Sequence, residues 1–376
     1  MYICRRKRKE MAAERNTSMS IVKAVAIILM VMGHAEGPWW VTNFIYLFHM
    51  PVFFIAAGYF FKRSAIDQPW QFVTRRFRKL YVPMVAWSIV FLLLHNLFFK
   101  IGLLNETYGN LQGGVTHPYT FSSGLQRLVH IVTAMAGYDE FLAGAFWFFR
   151  ALLVSSIVFL VLYLLIDKKG KRPTWFPPVV IICIMLVFTF LKIQFGLKVV
   201  TIVQGGIREC WGIIFFAIGV LYRHFEERIP RWWWTNLIYL GILVTGTLLR
   251  WHGMNLTPKV IDIATLPLTG ICGFILLHNL ALAFDRHRND LHRLAVYIGD
   301  NTLIIFVLHI ISFKAVAALQ IAVYGMDWQR IGSHMVVHDP TTAAGFFILY
   351  TIAGVAIPLA LNAAWHKLKE CIMHNS

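Results

Sequence analysis

The sequence predicts an all-α fold, a polytopic membrane helix bundle of about ten transmembrane helices with both termini cytoplasmic. Three observations carry that expectation. Of 376 residues, 58% are apolar or aromatic and only 14% are charged, against about 45–50% and 25% in an average soluble domain. The mean hydropathy is +0.63, and 30 Phe, 13 Trp and 13 Tyr leave more apolar surface than a soluble chain of this length hides. The apolar residues also gather in runs of the roughly 20 residues that cross a bilayer.

These runs begin near Ser20, Phe44, Tyr81, Gly144, Pro178, Ile207, Trp234, Leu266, Tyr297 and Thr341. A shorter segment, Leu125 to Met135, fits either an eleventh span or a helix lying at the interface. Basic blocks follow the second, fourth, sixth and eighth runs: Lys62 to Lys79, Lys168 to Arg172, Arg223 to Arg231, and Arg286 to Arg293. With residues 5–9, Arg15, Lys367 and Lys369, they hold 24 of the 35 positive charges. Positive charge marks the cytoplasmic side, so both ends are expected inside. The domains read as a basic tail over residues 1–19, one membrane domain over 20–366, and a second tail over 367–376. No polar stretch is long enough for a separate soluble domain, so the spans themselves must carry any chemistry.

The net charge of +17 would suit nucleic acid, but its blocks fall between apolar runs, which excludes that class. The five cysteines are scattered, odd in number and free of CxxC pairs, so neither a disulfide framework nor a zinc site is expected. His334 and His338 have helical metal-ligand spacing but lack the Glu of a zinc hydrolase and lie in an outer loop. With no metal motif, a metal-free mechanism is the default expectation. The N-terminus resembles a signal peptide without a small-residue cleavage site, which suits a retained anchor, and Met11 also fits as a start. Asn105-Glu106-Thr107 reads as a chance sequon. No internal repeat of the kind common in secondary transporters is visible.

Ionisable groups inside spans are costly and mark function by default. Lys23 and His34 of the first run are 11 residues apart, three helical turns, so they share one face about 16 Å apart. Lys23 is expected near the cytoplasmic surface and His34 deep in the outer half. The plainer readings are a lysine snorkelling to the headgroups and a histidine bonded to a neighbouring carbonyl. Glu36 lies about 200° around a straight helix from His34, too far to orient its imidazole.

Here the sequence resembles the acyltransferase-3 family of membrane acyltransferases. Lys23-(x10)-His34 fits its motif of a basic residue, ten residues and His. Phe48 to Tyr59, FHMPVFFIAAGY, is similar to a second-span segment of that family, except that Ala57 stands where Ser is common. Arg76 to Pro83 resembles the basic pair and proline that open its third span. Phe146 to Leu152 and Ile298 to His309 match two later pieces. The likeness runs in order over nearly the whole chain.

The resemblance implies about ten helices around a central cavity and transfer of an acyl group, commonly acetyl. The donor would be a cytoplasmic acyl-CoA, with no bound cofactor, and the acceptor a hydroxyl of an extracytoplasmic or membrane-linked glycan. It further implies a multi-pass protein of a bacterial inner or plasma membrane, with lipid bilayer, acyl-CoA and carbohydrate as partners. His titrates nearest neutrality, so His34 suits a general base, with a covalent acyl-His as variant. Lys23 would face the donor's phosphates or thioester, and Arg76, Arg78 and Lys79 its nucleotide end. His49, at a depth similar to His34, is a candidate second substrate contact. Arg150 would line the cavity or pair with Glu209, and His309 would be a cavity or hydrogen-bonding core residue. The competing readings are a transporter or flippase for a glycan precursor and a catalytically silent scaffold.

Overall fold

Helices carry nearly all of the regular structure. The computed structural model describes residues 16–110, 116–168, 170, 172–339 and 345–374; residues 5–9, Arg15, Cys4 and Met11 lie outside them. Leaving out short turns, the helices are α1 (Thr17–Gly33), α2 (Trp39–Tyr46), α3 (His49–Tyr59), α4 (Pro69–Arg76), α5 (Val82–Lys100), α6 (Phe121–Ala134) and α7 (Trp147–Ile166). Then follow α8 (Phe176–Gln194), α9 (Ile207–Phe225), α10 (Trp233–Leu248), α11 (Asp262–Phe284), α12 (Asp290–Asp300), α13 (Thr302–Tyr324) and α14 (Phe346–His374). No strand occurs among the described residues.

Among the described residues eight segments are long and apolar enough to cross a membrane, two fewer than the runs in the sequence. The first and seventh runs form α1 and α10, of 17 and 16 residues. Each is about 25 Å long against a hydrocarbon core of about 30 Å. Helix α1 stops because Gly33 leads into Glu36, at φ 51°, and then Gly37 and Pro38. Helix α10 stops before Arg250, at φ 53°.

Helix α1 sits at the centre, packed by α3, α11, α12, α13 and α14. Its Met19, Val22, Ala26, Ile27, Met30 and Val31 are almost wholly buried, as befits a helix apolar on every side. Close backbone approach needs glycine at two contacts. A Cβ on Gly219 of α9 would lie 2.0 Å from the Ile55 carbonyl oxygen of α3, and one on Gly299 of α12 would lie 1.8 Å from that of Ser20.

The second span is broken. Pro51 has no N–H for the Leu47 carbonyl, and the helix is interrupted between Tyr46 and His49. Thr269 Oγ1 of α11 lies 3.1 Å from Leu47 O and shares its one hydrogen between that vacant acceptor and its own Thr265 carbonyl at 3.0 Å, as buried backbone in a bilayer requires. Pro83 interrupts the third span in the same way. A π turn, Phe77–Tyr81, joins the amphipathic α4 to α5.

The short apolar segment is α6, and it runs antiparallel alongside α5. Asn96 bonds Tyr119 at its start, Tyr81 Oη donates to Val132 O near its end at 2.6 Å, and Asp139 bonds His95 after the chain returns. At 14 residues it is too short for a full span and packs back along α5. Phe121, Leu125, Val129 and Val132 form its exposed apolar stripe.

Candidate active site

Two chambers meet along α1. The inner one, about 520 Å³, is lined by Lys23, Arg76, Lys79, Asp300 and Thr302, with Ile27, Phe53, Phe148 and Phe149 among its apolar walls. The outer one, about 240 Å³, is lined by His34, Tyr46, His49, Trp147, Arg208 and Asn255. Met30, Met50 and Phe306 line both chambers and form the boundary between them. Beyond the inner chamber lies a basic vestibule of about 480 Å³, lined by Lys62, Gln68, Arg75, Arg76 and Lys79.

The end of α1 delivers His34 to the outer chamber. Its Nδ1 lies 3.1 Å from Nε2 of His309, with the rings stacked at 5.2 Å between centroids. His309 Nδ1 lies 2.8 Å from the Phe306 carbonyl oxygen. A carbonyl only accepts, so His309 Nδ1 carries a hydrogen, and in a neutral ring its Nε2 is the acceptor. His34 must then donate from Nδ1, which leaves Nε2 of neutral His34 as a bare lone pair. Tyr46 Oη donates to the Gly33 carbonyl at 2.9 Å, satisfying one of the orphan acceptors at the helix end.

The break in the second span places the other imidazole. With no helical turn before it, His49 uses Nδ1 to donate to the Ile45 carbonyl at 2.8 Å, and the ring is buried. Its Nε2 is thereby also left as an acceptor. Glu36 turns away from His34 altogether, its carboxylate meeting His338. His334 rests edge-on against Phe141, centroids 4.7 Å apart. Burial holds the His334 imidazole below the ordinary histidine range, against the opposing pull of its bond to the Glu140 backbone. Lys314 ties this outer loop down, its Nζ donating to Ile331 O at 2.7 Å and Ser333 O at 2.6 Å.

The basic residues divide among three places. Lys23 and Asp300 line the inner chamber together, and Ser20 Oγ donates to Asp300 at 2.9 Å. Arg76 donates to the Ala57 carbonyl at 3.3 Å and covers the Phe72 and Phe216 rings. Lys79 is common to the inner chamber and the vestibule, whereas Arg78 lies in a surface cleft with Trp70 and Arg75. Arg150 lines neither chamber. It is buried in an ion pair with Glu209 at 3.0 Å, one of the two alternatives the sequence left open. His309 is fully buried behind His34 and touches the site only through it.

Sequence reasoning missed Arg208, Trp147, Tyr46 and Asn255 as parts of the site. Arg208 stands 4.0 Å over the Trp147 ring. The available signal was two adjacent ionisable residues, Arg208 and Glu209, opening a span in which Arg150 needs only one partner.

The arrangement suits acid–base chemistry on a hydroxyl in the outer chamber, with an anionic reactant held from the inner one. No curated protein and no solved structure matches the chain. A family model described as an acyltransferase domain matches residues 16–363, and the chain therefore belongs to the acyltransferase-3 family, of membrane acyltransferases.

Proposed function

We propose that the protein moves an acyl group, acetyl being the commonest, from a cytoplasmic acyl-CoA to a hydroxyl of an extracytoplasmic or membrane-linked glycan. The observation that carries this reading is the pair of chambers sharing the wall of Met30, Met50 and Phe306, cations on one side and a bare imidazole nitrogen on the other. Lys62, Arg75, Arg76 and Lys79, with Arg78 nearby, hold the nucleotide phosphates by charge-assisted hydrogen bonds. The pantetheine arm extends along the inner chamber past Lys23 and brings the thioester to Met30, Met50 and Phe306.

His34 Nε2 takes the acceptor's hydroxyl proton as the oxygen attacks the thioester carbonyl. The tetrahedral intermediate collapses, the C–S bond breaks, and the thiolate receives that proton from His34, giving ester and free coenzyme A. While His34 is cationic, its bond to His309 becomes charge-assisted and holds the ring in place. Lys23 faces the thioester end, and His49 Nε2 accepts from a second hydroxyl of the sugar. The basic blocks support a cytoplasmic vestibule, and on this reading the protein lies in the inner or plasma membrane of a bacterium.

The test is transfer of label from acetyl-labelled coenzyme A to cell-surface glycan, in membranes carrying wild-type protein or His34→Ala at equal level. Labelled glycan is expected with wild type, with a loss of about 10²–10⁴-fold in the variant. Equal labelling would remove His34 as the base. A wild type that labels nothing, yet moves a glycan precursor across the membrane, would overturn acyl transfer in favour of transport.

A further inference from the structure

We infer that the outer chamber is built for an acceptor bearing an anionic group, a carboxylate or a phosphate, and that Arg208 is the residue that selects it. This rests on the acyl-transfer reading for the acceptor's role, though not for its charge.

Three ionisable groups open this end of the bundle: Arg150, Arg208 and Glu209. The buried Arg150–Glu209 pair closes on itself at 3.0 Å, with Arg150 also reaching Val203 O. Arg208 is left as a surplus cation on the chamber wall, and no Asp or Glu lines that chamber. Its hydrogen bonds go to neutral groups and are long, Nε to Met254 O at 3.4 Å and Nη1 to the Gln204 side-chain oxygen at 3.3 Å; the charge of adjacent Glu209 reaches it, but that carboxylate is bonded to Arg150. Among the described residues it forms no ion pair. A half-buried guanidinium so placed keeps N–H donors free for an anion in the chamber.

Trp147 fixes the geometry. The guanidinium carbon of Arg208 lies 4.0 Å from the Trp147 ring centroid, so the indole holds the planar N–H fork at the chamber wall. That planar fork is matched to a carboxylate or phosphate. The chamber, about 240 Å³, falls below the roughly 300–1,000 Å³ of sites for drug-sized ligands. It therefore takes one sugar unit rather than a chain. A single residue of glycan can thus present a hydroxyl to His34 and its charge to Arg208, both lining the same small space. The charge sets which sugar enters, while the hydroxyl facing His34 sets where it is acylated.

The experiment measures binding and transfer separately, on purified wild type, Arg208→Gln and Arg208→Lys with matched melting temperatures. The probes are glucose, glucuronic acid and glucose 1-phosphate. Binding is read by quenching of tryptophan fluorescence and by calorimetry, without donor. Wild type is expected to bind at least one anionic probe tenfold or more tightly than glucose, with the advantage shrinking at high salt. Arg208→Gln is expected to abolish the preference and Arg208→Lys to keep part of it. Glucuronic acid preferred over glucose 1-phosphate identifies a carboxylate, and the reverse order a phosphate. Equal binding of all three probes by wild type, or an unchanged preference in Arg208→Gln, overturns the inference. With acetyl-CoA present, the same preference is expected in KM rather than kcat. Anion-selective binding that depends on Arg208 but gives no acetylated product upholds this inference while overturning acyl transfer.

Discussion

The bond between His34 and His309 fixes a direction on both rings, because the Phe306 carbonyl at its far end can only accept. His309 is thus a positioning residue acting through His34. Replacing it by Leu removes the acceptor for His34 Nδ1–H and frees the ring to turn. A hydrogen bond to a charged group is worth about 1.5–3 kcal/mol, so kcat for acyl transfer is expected to fall about 10–100-fold with the donor KM unchanged. His309→Gln, which keeps an acceptor oxygen, should recover part of the loss in the same steady-state assay. A purely structural histidine would show no such difference between Leu and Gln at equal expression. The Lys23–His34 face was legible in the sequence because helical periodicity alone puts residues 11 apart in line. The pairing with His309 was not, since it joins residues 275 apart and depends on how α13 meets the end of α1.

Among the elements, the packing of α3 on α9 is the most demanding. The Gly219 Cα faces backbone, not a side chain that can swing aside, and a Cβ there would meet Ile55 O at 2.0 Å. Overpacking of this kind costs about 1–3 kcal/mol, so Gly219→Ala is expected to lower the melting temperature in detergent. Gly241→Ala on α10, with nothing within 4 Å of the new Cβ, should leave it unchanged or raise it. Equal behaviour of the two variants would remove the close approach as the reason for glycine. Eight of the ten apolar runs recur as span-length segments among the described residues, because run length against bilayer thickness is a one-dimensional property. The break at Leu47 and Phe48 follows from Pro51, yet it becomes visible only with Thr269 in place to satisfy the freed carbonyl. The Ile298 to Thr302 segment is explained by its neighbours. Gly299 lets α12 touch α1, and Asp300 joins Lys23 in the inner wall.

For the whole molecule, the central helix must be held at both ends. At its start Thr17 Oγ1 donates to Asp285 at 2.8 Å, and His292 Nε2 bonds the other carboxylate oxygen at 2.7 Å. Burial works to raise this carboxyl, but these two bonds and the Arg288 charge outweigh it and hold Asp285 below the usual carboxylate range. A depressed carboxylate stabilises the fold above its unfolded pKa of about 3.9 and loses that contribution as pH falls through the folded value. Asp285→Asn is therefore expected to melt lower than wild type at pH 7, with the difference starting to shrink near about pH 4 and disappearing only below the folded value. A gap independent of pH would assign the effect to packing. Near its other end α1 carries Met30 into the boundary shared with Met50 and Phe306, the neck that the proposed transfer crosses. In the proposed reaction the acyl fragment leaves the thioester on one side of that neck, and the hydroxyl proton ends on the thiol at the same side. One acylium equivalent moves outward for each proton moving inward, so the exchange carries no net charge. Transfer across the neck would then neither draw on nor be opposed by the membrane potential.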